Sequence, residues 1–468
     1  MRHDPARPNS APTSASINPA TGQIVAEYPE HSDAEVNAII ERAAQRFASW
    51  RRASFAQRSA LMHRVSDVLL ERCDEWAELM AIEMGKPLRE GRAELAKSAS
   101  VCRYYADGAE AMLADREVAT DSRRSFVHYE PLGVILAVMP WNFPFWQVIR
   151  FAAPTLMAGN TVLLKHASNV TGSALAIEES FTAAGFDAGC FSTLVMASSR
   201  VASVIEHPEV RAVSLTGSEG AGRAVGATAG RQLKKAVLEL GGSDASVVLS
   251  DADVANAAAG CAAGRLINGG QSCIAAKRFI VHEAVYDEWL DEFTRQMASR
   301  VSGNPIDEAT TLGPLARVDL RDELHDQVLR SVEAGARILL GGTMPDDRTS
   351  AFYPATVLVD VPLDSPAWVE ELFGPVAAVV RVSSDEEAIE LANQSRFGLG
   401  GAVYTSDVER GLDLAASQVE AGTVFVNGPV ASDPRLPFGG IRESGYGREL
   451  GEEGIREFVN VKTVVAVE

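Results

Sequence analysis

The sequence has no long apolar run, few cysteines and a deficit of positive charge. Apolar segments such as Gly133 to Met139 fall short of the roughly 18 residues that a membrane-spanning helix needs. Acidic residues number 63 against 43 basic ones, a net charge of −20, which argues against nucleic acid or an anionic membrane surface as a partner. The five cysteines include no CxxC pair and the eight histidines no HExxH motif. Neither a disulfide framework nor a metal site is therefore expected.

The first 16 residues are rich in proline, serine and alanine and lack the apolar core of a signal peptide. We predict that they form a disordered arm and that the protein is cytoplasmic. The length of 468 residues, at about 150 residues per domain, predicts two or three domains with large buried cores.

The region from Ser32 to about Ala114 carries apolar residues at three- and four-residue spacing. This spacing predicts amphipathic helices that pack on the edge of a sheet. Between Asp115 and Pro131 the pattern changes to alternating polar and β-prone residues around an Asp-Ser turn, which predicts a hairpin that stands off the main body. The exposed edge of such a hairpin favours pairing with another chain.

From Gly133 onward, short apolar runs alternate with helical stretches, which predicts a parallel sheet of the dinucleotide-binding type. The usual GxGxxG sequence is missing after the first strand. Small residues instead follow the fourth strand and open a helix whose N–H groups would face a pyrophosphate. These residues are Thr216, Gly217, Ser218 and Gly222. Taken alone, Ser218 is more simply explained as an ordinary helix N-cap.

The region from 241 to about 441 predicts a second α/β domain. Its apolar, β-prone runs lie at 276–281, 336–342, 353–361, 376–382 and 402–405, with helical stretches between them. The tail from Gly454 to Glu468 contains one more β-prone segment. We expect this segment to pair with the predicted hairpin of a neighbouring chain.

Two isolated residues, Glu239 and Cys273, have the surroundings of a general base and a nucleophile. Cys273 follows the small-residue stretch 269–272, which lets another molecule approach the sulfur. Glu239 ends an apolar stretch just before Gly241 and Gly242, and partial desolvation raises a carboxyl pKa and favours work as a base. Considered one at a time, a lone cysteine is more often a small core residue and a lone glutamate a solvated one.

Several motifs occur together in one order along nearly the whole chain. LELGG contains Glu239, and the cysteine of GQSC follows that glutamate by 34 positions. PWNFP lies upstream, ELFGP downstream, and the outermost matches are INPATG and PFGGIRESGYGRE, which ends at Glu449. In these motifs the sequence resembles the NAD(P)-dependent aldehyde dehydrogenase superfamily. LLKHA, ELGGSD, AAKRF, RDELHDQV and VNGPVASD resemble a bacterial subgroup of short succinate semialdehyde dehydrogenases.

The resemblance implies an α/β fold with a Rossmann-like cofactor domain, a second α/β catalytic domain and a β oligomerisation arm. We expect the cofactor domain at 1–114 and 134–240, the catalytic domain at 241–441, and the arm at 115–133 and 450–468. The resemblance also implies a homodimer or homotetramer that acts on a small-molecule aldehyde, with NADP or NAD as cofactor and no metal.

The resemblance assigns the chemistry to four residues. The thiolate of Cys273 attacks the aldehyde carbon, and the oxyanion receives hydrogen bonds from the Asn142 side chain and the Cys273 N–H. After hydride transfer, Glu239 activates the water that releases the acid from the thioester. Glu449 matches a second acid that helps to relay protons in some members. Without the family, Asn142 is equally well explained as a turn residue.

The cofactor residues implied by the resemblance include Glu371 and Phe373, at the nicotinamide ribose and ring. Where the family usually has Lys-Pro-(Ser/Ala)-Glu, this chain has Lys165-His166-Ala167-Ser168. Ser168 replaces the carboxylate that would repel a 2′-phosphate, so we expect NADP to be tolerated. The other expected cofactor residues are Pro140, Trp141, Lys165, Thr216, Gly217, Ser218, Gly222, Leu240 and Gly241.

Arg150 is the expected specificity residue. An Arg at this offset from PWNFP binds the distal carboxylate in succinate semialdehyde dehydrogenases, and its planar fork suits a carboxylate. A structural ion pair is the alternative, because the same fork also suits a neighbouring Asp or Glu. The chain departs from the mammalian form, with Ile267 in place of a second carboxylate-binding Arg and Ala275 in place of a second Cys. Ser432, or alternatively Arg435, is expected to supply the missing anchor.

Other functions stay open at this stage. Succinate semialdehyde is the expected substrate, and glutarate semialdehyde or a neutral aliphatic aldehyde is the alternative. A CoA-acylating dehydrogenase needs no water-activating acid, so Glu239 counts against it, and an inactive structural homologue would be expected to have lost Cys273 or Glu239.

Overall fold

A computed structural model of the protein describes residues 13–467. The first twelve residues of the predicted disordered arm lie outside this range. The prediction is wrong for residues 13–16, because Thr13–Ile17 forms a strand that pairs antiparallel with Ile24–Pro29. Ser14 and Ser16 of this strand are buried, and Ser16 donates a hydrogen bond to the buried Glu83.

The described strands, in chain order, are β1 Thr13–Ile17, β2 Ile24–Pro29, β3 Arg116–Glu117, β4 Arg124–Pro131, β5 Val134–Met139, β6 Thr161–His166, β7 Phe191–Thr193, β8 Val210–Thr216, β9 Lys235–Glu239, β10 Ala245–Val248, β11 Arg278–His282, β12 Arg337–Leu340, β13 Thr356–Val359, β14 Val376–Val382, β15 Gly400–Tyr404, β16 Thr423–Val426, β17 Gly445–Tyr446 and β18 Val459–Ala466.

The described α-helices are α1 Asp33–Trp50, α2 Phe55–Glu71, α3 Cys73–Met84, α4 Leu88–Met112, α5 Pro144–Met157, α6 Thr171–Ala183, α7 Val201–Glu206, α8 Glu219–Arg231, α9 Val254–Leu266, α10 Glu283–Ala298, α11 Val318–Glu333, α12 Pro366–Val369, α13 Asp385–Asn393, α14 Val408–Ser417 and α15 Gly451–Arg456. None of the helices in 13–467 is both long enough and apolar enough to cross a membrane.

The first large sheet has the strand order β17-β9-β8-β5-β6-β7, and only β17 runs antiparallel to its neighbour. Its central strands are buried on both faces. Ile135 and Leu136, which are adjacent in β5, enter different hydrophobic clusters because successive side chains of a strand point to opposite faces. Helices therefore cover both sides, as the Rossmann-like prediction requires.

The second large sheet has the order β12-β13-β14-β11-β10-β15-β16 and is parallel except for its edge strand β12. The predicted strand at 376–382 is confirmed as β14. Helices again pack on both faces, and two clusters of apolar side chains fill the layers. The predicted α/β fold is confirmed for both sheets, whereas the exact domain boundaries stay a prediction.

The third sheet consists of β18, β4 and β3. Strand β18 pairs along its whole length with β4 of the same chain, from Val459 opposite Pro131 to Ala466 opposite Arg124. The expectation that the tail pairs with a neighbour's hairpin is therefore wrong. Both strands have eight residues, and pairing within one chain satisfies their backbone groups without a second molecule.

Candidate active site

The thiol of Cys273 lies just beyond a tight turn. Asn268, Gly269 and Gly270 all have left-handed backbone conformations, with φ angles of 52°, 63° and 79°. A Cβ on Gly270 would lie 2.2 Å from the carbonyl oxygen of Gly374, so only glycine fits there. Asn268 tolerates its conformation because its side-chain amide donates hydrogen bonds to the carbonyls of Asn142 (2.7 Å) and Gln271 (3.1 Å).

Lys277 anchors the backbone on both sides of the Cys273 thiol. Its ammonium group donates to the carbonyl oxygens of Ser272 (3.1 Å), Cys273 (2.9 Å) and Ala275 (2.9 Å). It also lies 3.5 Å from Glu371 and is fully buried. A buried ammonium needs such partners. Lys277 therefore fixes the loop that carries the predicted nucleophile, although the sequence alone did not indicate this role.

Asn142 precedes helix α5 and is buried beside the thiol. Its Nδ2 donates to the carbonyl of Gln271 (3.0 Å), and its Oδ1 accepts from the side-chain amide of Gln147 (3.1 Å). This pair of bonds fixes the amide orientation and leaves one Nδ2 hydrogen available. The Cys273 N–H has no acceptor among residues 13–467. Two neutral donors are thus present for an oxyanion, as the prediction requires.

The turn that carries Asn142 is anchored by Glu94 of α4 and by Lys86, which lies in the connection between α3 and α4. Glu94 accepts hydrogen bonds from the N–H groups of Phe145 (2.8 Å) and Trp146 (3.0 Å), at the positive end of α5. Lys86 pairs with Glu94 and donates to the Asn142 carbonyl at 2.9 Å. This buried network keeps the predicted oxyanion donor in place.

Glu239, Glu449 and Arg150 form one buried cluster. Arg150 forms an ion pair with Glu449, and their side chains are 3 % and 4 % exposed. Glu239 is 2 % exposed, and neither of its carboxylate oxygens has a hydrogen-bond partner within the described residues. Burial raises the pKa of Glu239 well above its usual range; the charge of Glu449 raises it further, and Arg150 opposes both effects. The structural ion pair that the sequence left as an alternative for Arg150 is present.

The Cys273 thiol is only partly accessible, and burial raises its pKa to about 12. The positive charges of Arg150 and then Lys277 act in the opposite direction, whereas Glu371 and Asp244 add to the rise. Because the thiolate is the reactive form, these two cations favour nucleophilic attack.

A cavity of about 420 Å³ opens onto the thiol, within the range of about 300–1,000 Å³ that small-molecule sites occupy. Its wall includes the edge-to-face pair of Trp141 and Phe373, whose ring centroids are 5.7 Å apart. Predicted site residues that line it are Pro140, Trp141, Asn142, Thr216, Gly217, Ser218, Leu240, Gly241, Cys273, Glu371 and Phe373. Ser218 also caps α8, because its hydroxyl accepts from the Ala221 N–H. Both interpretations of Ser218 therefore fit the geometry.

The remaining predicted cofactor residues lie outside this wall. Gly222 lines an adjoining depression beside α8, together with Leu240. Lys165 is buried at the carboxyl end of β6, where burial lowers its pKa and Glu30 opposes the shift. Ser168 is exposed in the turn that follows β6. Lys165 and Ser168 lie at and just after the end of β6 and Gly222 lies on α8, and their binding roles stay predictions.

The two candidates for a second substrate anchor differ in their surroundings. Ser432 accepts a hydrogen bond from Lys97 at 2.8 Å, and Lys97 also lies 4.3 Å from the ring centroid of Trp146. Arg435 has an exposed side chain that pairs with Asp433 through two bonds of 2.8 and 2.6 Å. The structure brings Ser432 next to a cation that the sequence analysis missed, and leaves Arg435 at the surface.

A family model described as the aldehyde dehydrogenase family matches residues 7–464. The chain belongs to the aldehyde dehydrogenase family. A probable succinate-semialdehyde dehydrogenase (NADP+) of Synechocystis sp. is 50 % identical over 450 residues, which cover 96 % of this chain and 99 % of that protein. Succinate-semialdehyde dehydrogenase (NADP+) 1 of Mycobacterium tuberculosis is 49 % identical over 453 residues, with the same coverage.

Solved structures agree with this placement. The succinic semialdehyde dehydrogenase of Streptococcus pyogenes, in complex with NADP+, superposes with a TM-score of 0.95 at 38 % identity. The alignment covers 97 % of this chain and 100 % of that one. The aldehyde dehydrogenase fold and family of the protein are thus shown, whereas the roles of individual site residues stay predictions.

Proposed function

We propose that this aldehyde dehydrogenase oxidises succinate semialdehyde to succinate with NADP or NAD. The observation that carries the proposal is the arrangement around Arg150. Its buried guanidinium lowers the pKa of the Cys273 thiol, and its Nη2 has no hydrogen-bond partner among the described residues. An unpaired guanidinium nitrogen suits the distal carboxylate of a semialdehyde. The similar proteins of Synechocystis and Mycobacterium carry names for the same activity.

The first step is covalent. The Cys273 thiolate forms a C–S bond to the aldehyde carbon, and the carbonyl π electrons move to oxygen. The resulting oxyanion accepts hydrogen bonds from Asn142 Nδ2 and the Cys273 N–H, two donors that are already oriented in the free protein. Lys277 and Gln147 act by holding these groups in position.

The second half of the reaction needs a base. NADP or NAD, when bound, supplies the hydride acceptor that turns the thiohemiacetal into a thioester. The unpaired Glu239 carboxylate then takes a proton from water, the hydroxide adds to the thioester carbon, and the thiolate leaves with the C–S bond electrons. Its raised pKa suits this role because a stronger base accepts the proton more readily. Glu449 lies next in the same cluster and is proposed to pass the proton on.

The cavity fits a dinucleotide by its chemistry. Thr216 Oγ1 is buried without a hydrogen-bond partner among residues 13–467, so its hydroxyl is available to a ligand. Glu371 accepts from the Gly242 N–H at 3.0 Å and offers carboxylate oxygen to ribose hydroxyls. A Cβ on Gly241 would lie 2.5 Å from Glu371, so glycine leaves room for that carboxylate. Lys165 and Ser168 are proposed to hold the adenosine ribose.

Distal carboxylate binding is proposed for Arg150 and Ser432. Arg435 is the weaker candidate of the original set, because Asp433 already neutralises its exposed guanidinium. The ion pair with Glu449 leaves Arg150 less net charge than a free guanidinium would have. Substrate selection therefore depends on the other polar groups near Arg150 as well.

The test is a comparison of two four-carbon aldehydes by the absorbance of the reduced cofactor. We expect kcat/KM for succinate semialdehyde to exceed that for butyraldehyde by at least about a hundredfold, or about 2.7 kcal/mol. Equal values would leave a general aldehyde dehydrogenase. Glutarate semialdehyde, with one more methylene, serves as the length control.

We also propose that the protein is a cytoplasmic homodimer or homotetramer. All five cysteines are free thiols, which suits a reducing compartment. The outer strand β18 exposes Val461 and Val465, an edge on which a second chain can pair. Light scattering coupled to size exclusion decides the assembly, and a monomer would contradict this part.

A further inference from the structure

Most of the described cations near Arg150 are paired with a carboxylate, but Lys97 is not. Arg150 is paired with Glu449, Lys86 with Glu94, and Arg435 with Asp433. Lys97, on helix α4, forms no ion pair within residues 13–467. Among the residues that the structure describes, its ammonium group donates one hydrogen bond, to the Ser432 hydroxyl, and lies over the face of the Trp146 ring. A half-buried cation with neutral partners is suited to receive an anion.

The position of Lys97 relates it to the reacting thiol. Trp146, which its ammonium contacts, precedes Gln147, which holds the Asn142 amide and lines the thiol cavity. Arg150 follows Trp146 by four residues, so both side chains lie on one face of α5. The charge of Arg150 also contributes to the lowering of the pKa of Lys97.

We propose that Lys97 is a specificity-determining residue that binds the distal carboxylate of the substrate, together with Ser432. The inference rests on the proposed succinate semialdehyde activity and adds a residue to it. Arg150, although paired with Glu449, offers its unpaired Nη2 to the carboxylate, and Lys97 adds a positive charge that has no ion-pair partner among the described residues. Trp146, whose ring lies under the Lys97 ammonium, directly precedes Gln147 of the thiol cavity. The carboxylate replaces the missing counter-charge of Lys97 and still accepts from the Ser432 hydroxyl.

A pH dependence follows from the surroundings of Lys97. Burial and, next, the charge of Arg150 on α5 together lower its pKa to about 8, against Glu94 of α4 and Asp433, which follows Ser432 in the loop after β16. Below pH 8 the free enzyme holds the ammonium form, which binds the carboxylate. Above pH 8 the amine is neutral, so KM for succinate semialdehyde rises while KM for butyraldehyde stays constant.

The test compares Lys97→Met with Lys97→Arg on both aldehydes. Lys97→Met removes the charge and keeps most of the volume, and we expect KM for succinate semialdehyde to rise about 30-fold, or about 2 kcal/mol, with kcat changed by less than about threefold. KM for butyraldehyde should not rise. Lys97→Arg should keep a low KM for succinate semialdehyde, and this KM should no longer rise above pH 8. Succinate should bind more weakly to Lys97→Met, so its product-inhibition constant should increase by a similar factor.

Arg103→Met is the matched control, because it removes an exposed cation from the same helix, where Arg103 pairs with Asp67 at 3.1 Å. It should leave both aldehydes unchanged. An unchanged KM for succinate semialdehyde in Lys97→Met, or an equal loss on both aldehydes, overturns the assignment of Lys97 and leaves the proposed function standing. A wild-type enzyme without preference for succinate semialdehyde overturns both.

Discussion

Arg150 and Glu449 form a buried ion pair that links helix α5 to the acid predicted to relay protons. Glu449 raises the pKa of Glu239, and Arg150 lowers the pKa of both Glu239 and Cys273. A single guanidinium therefore influences the predicted nucleophile, the predicted base and the second acid. Substitutions of Glu449 should change proton transfer, substitutions of Arg150 should change substrate binding, and the two effects can be measured separately.

Glu449→Gln tests the link to the base. The substitution removes a negative charge that raises the pKa of Glu239, so the pKa of Glu239 should fall. The rising limb of the kcat profile against pH should move to lower pH. Butyraldehyde is the substrate to use, because it has no carboxylate that Arg150 could bind. An unmoved limb would show that Glu449 does not act on the base.

Arg150→Met tests the predicted carboxylate ligand. KM for succinate semialdehyde should rise by about 30-fold or more, since the loss of one partner of a buried charge pair costs about 2–5 kcal/mol. The variant should also be less stable, because Glu449 is left buried without its counter-charge, at a cost of about 3–5 kcal/mol. Thermal melting and KM for both aldehydes are the measurements.

The double variant Arg150→Met with Glu449→Gln separates the two effects. It removes both buried charges, so most of the lost stability should return. KM for succinate semialdehyde should stay high. If both aldehydes instead lose equally in the double variant, Arg150 has only a structural role.

Lys277→Met tests the support of the nucleophile. The carbonyls of Ser272, Cys273 and Ala275 lose their common donor, and the thiol loses a charge that lowers its pKa. The pKa of Cys273 should rise, so iodoacetamide should label it more slowly at a given pH and its labelling profile should move to higher pH. Lys235→Met, at an exposed lysine paired with Glu457, is the control. If Lys277→Met and the wild-type enzyme had identical labelling profiles, Lys277 would not influence the Cys273 thiol.

Ser168→Glu tests the cofactor preference. A carboxylate at this position should repel a 2′-phosphate, so kcat/KM for NADP should fall by about a hundredfold, or about 2.7 kcal/mol. The value for NAD should change little. Ser168→Gln has the same size without the charge and should keep NADP activity. A wild-type enzyme that already rejects NADP would show that another group excludes the phosphate.

Periodicity predicted most of the fold but not its breaks or its strand partners. The strand at 376–382 was predicted because seven mostly apolar residues are bounded by turn signals. The long helical stretch of α2 and α3 breaks at Arg72, where no Pro or Gly marks the end. Strand β1 is short and rich in Ser and Thr, so it has no apolar pattern. The partner of β18 depends on chain geometry, which one sequence does not encode locally.

Site residues could be predicted from the sequence only where they belong to recognisable motifs. Asn142, Cys273 and Glu371 belong to recognisable motifs, and the structure places all three around one cavity. Lys97 was missed because its partner Ser432 is 335 positions away in sequence. Lys277 was missed because a lysine is usually exposed, and nothing local shows that three carbonyls surround it.

The most direct measurement is the mass of the covalent intermediate in Glu239→Gln. This variant should form the thioester and fail to hydrolyse it, so a burst of reduced cofactor should precede slow turnover. After acid quench of a reaction with succinate semialdehyde and NADP, peptide mapping should find a succinyl group on Cys273, and Cys273→Ala should show neither burst nor adduct. A wild-type turnover rate in Glu239→Gln, or a succinyl group on Cys73, Cys102, Cys190 or Cys261 in place of Cys273, would contradict the mechanism.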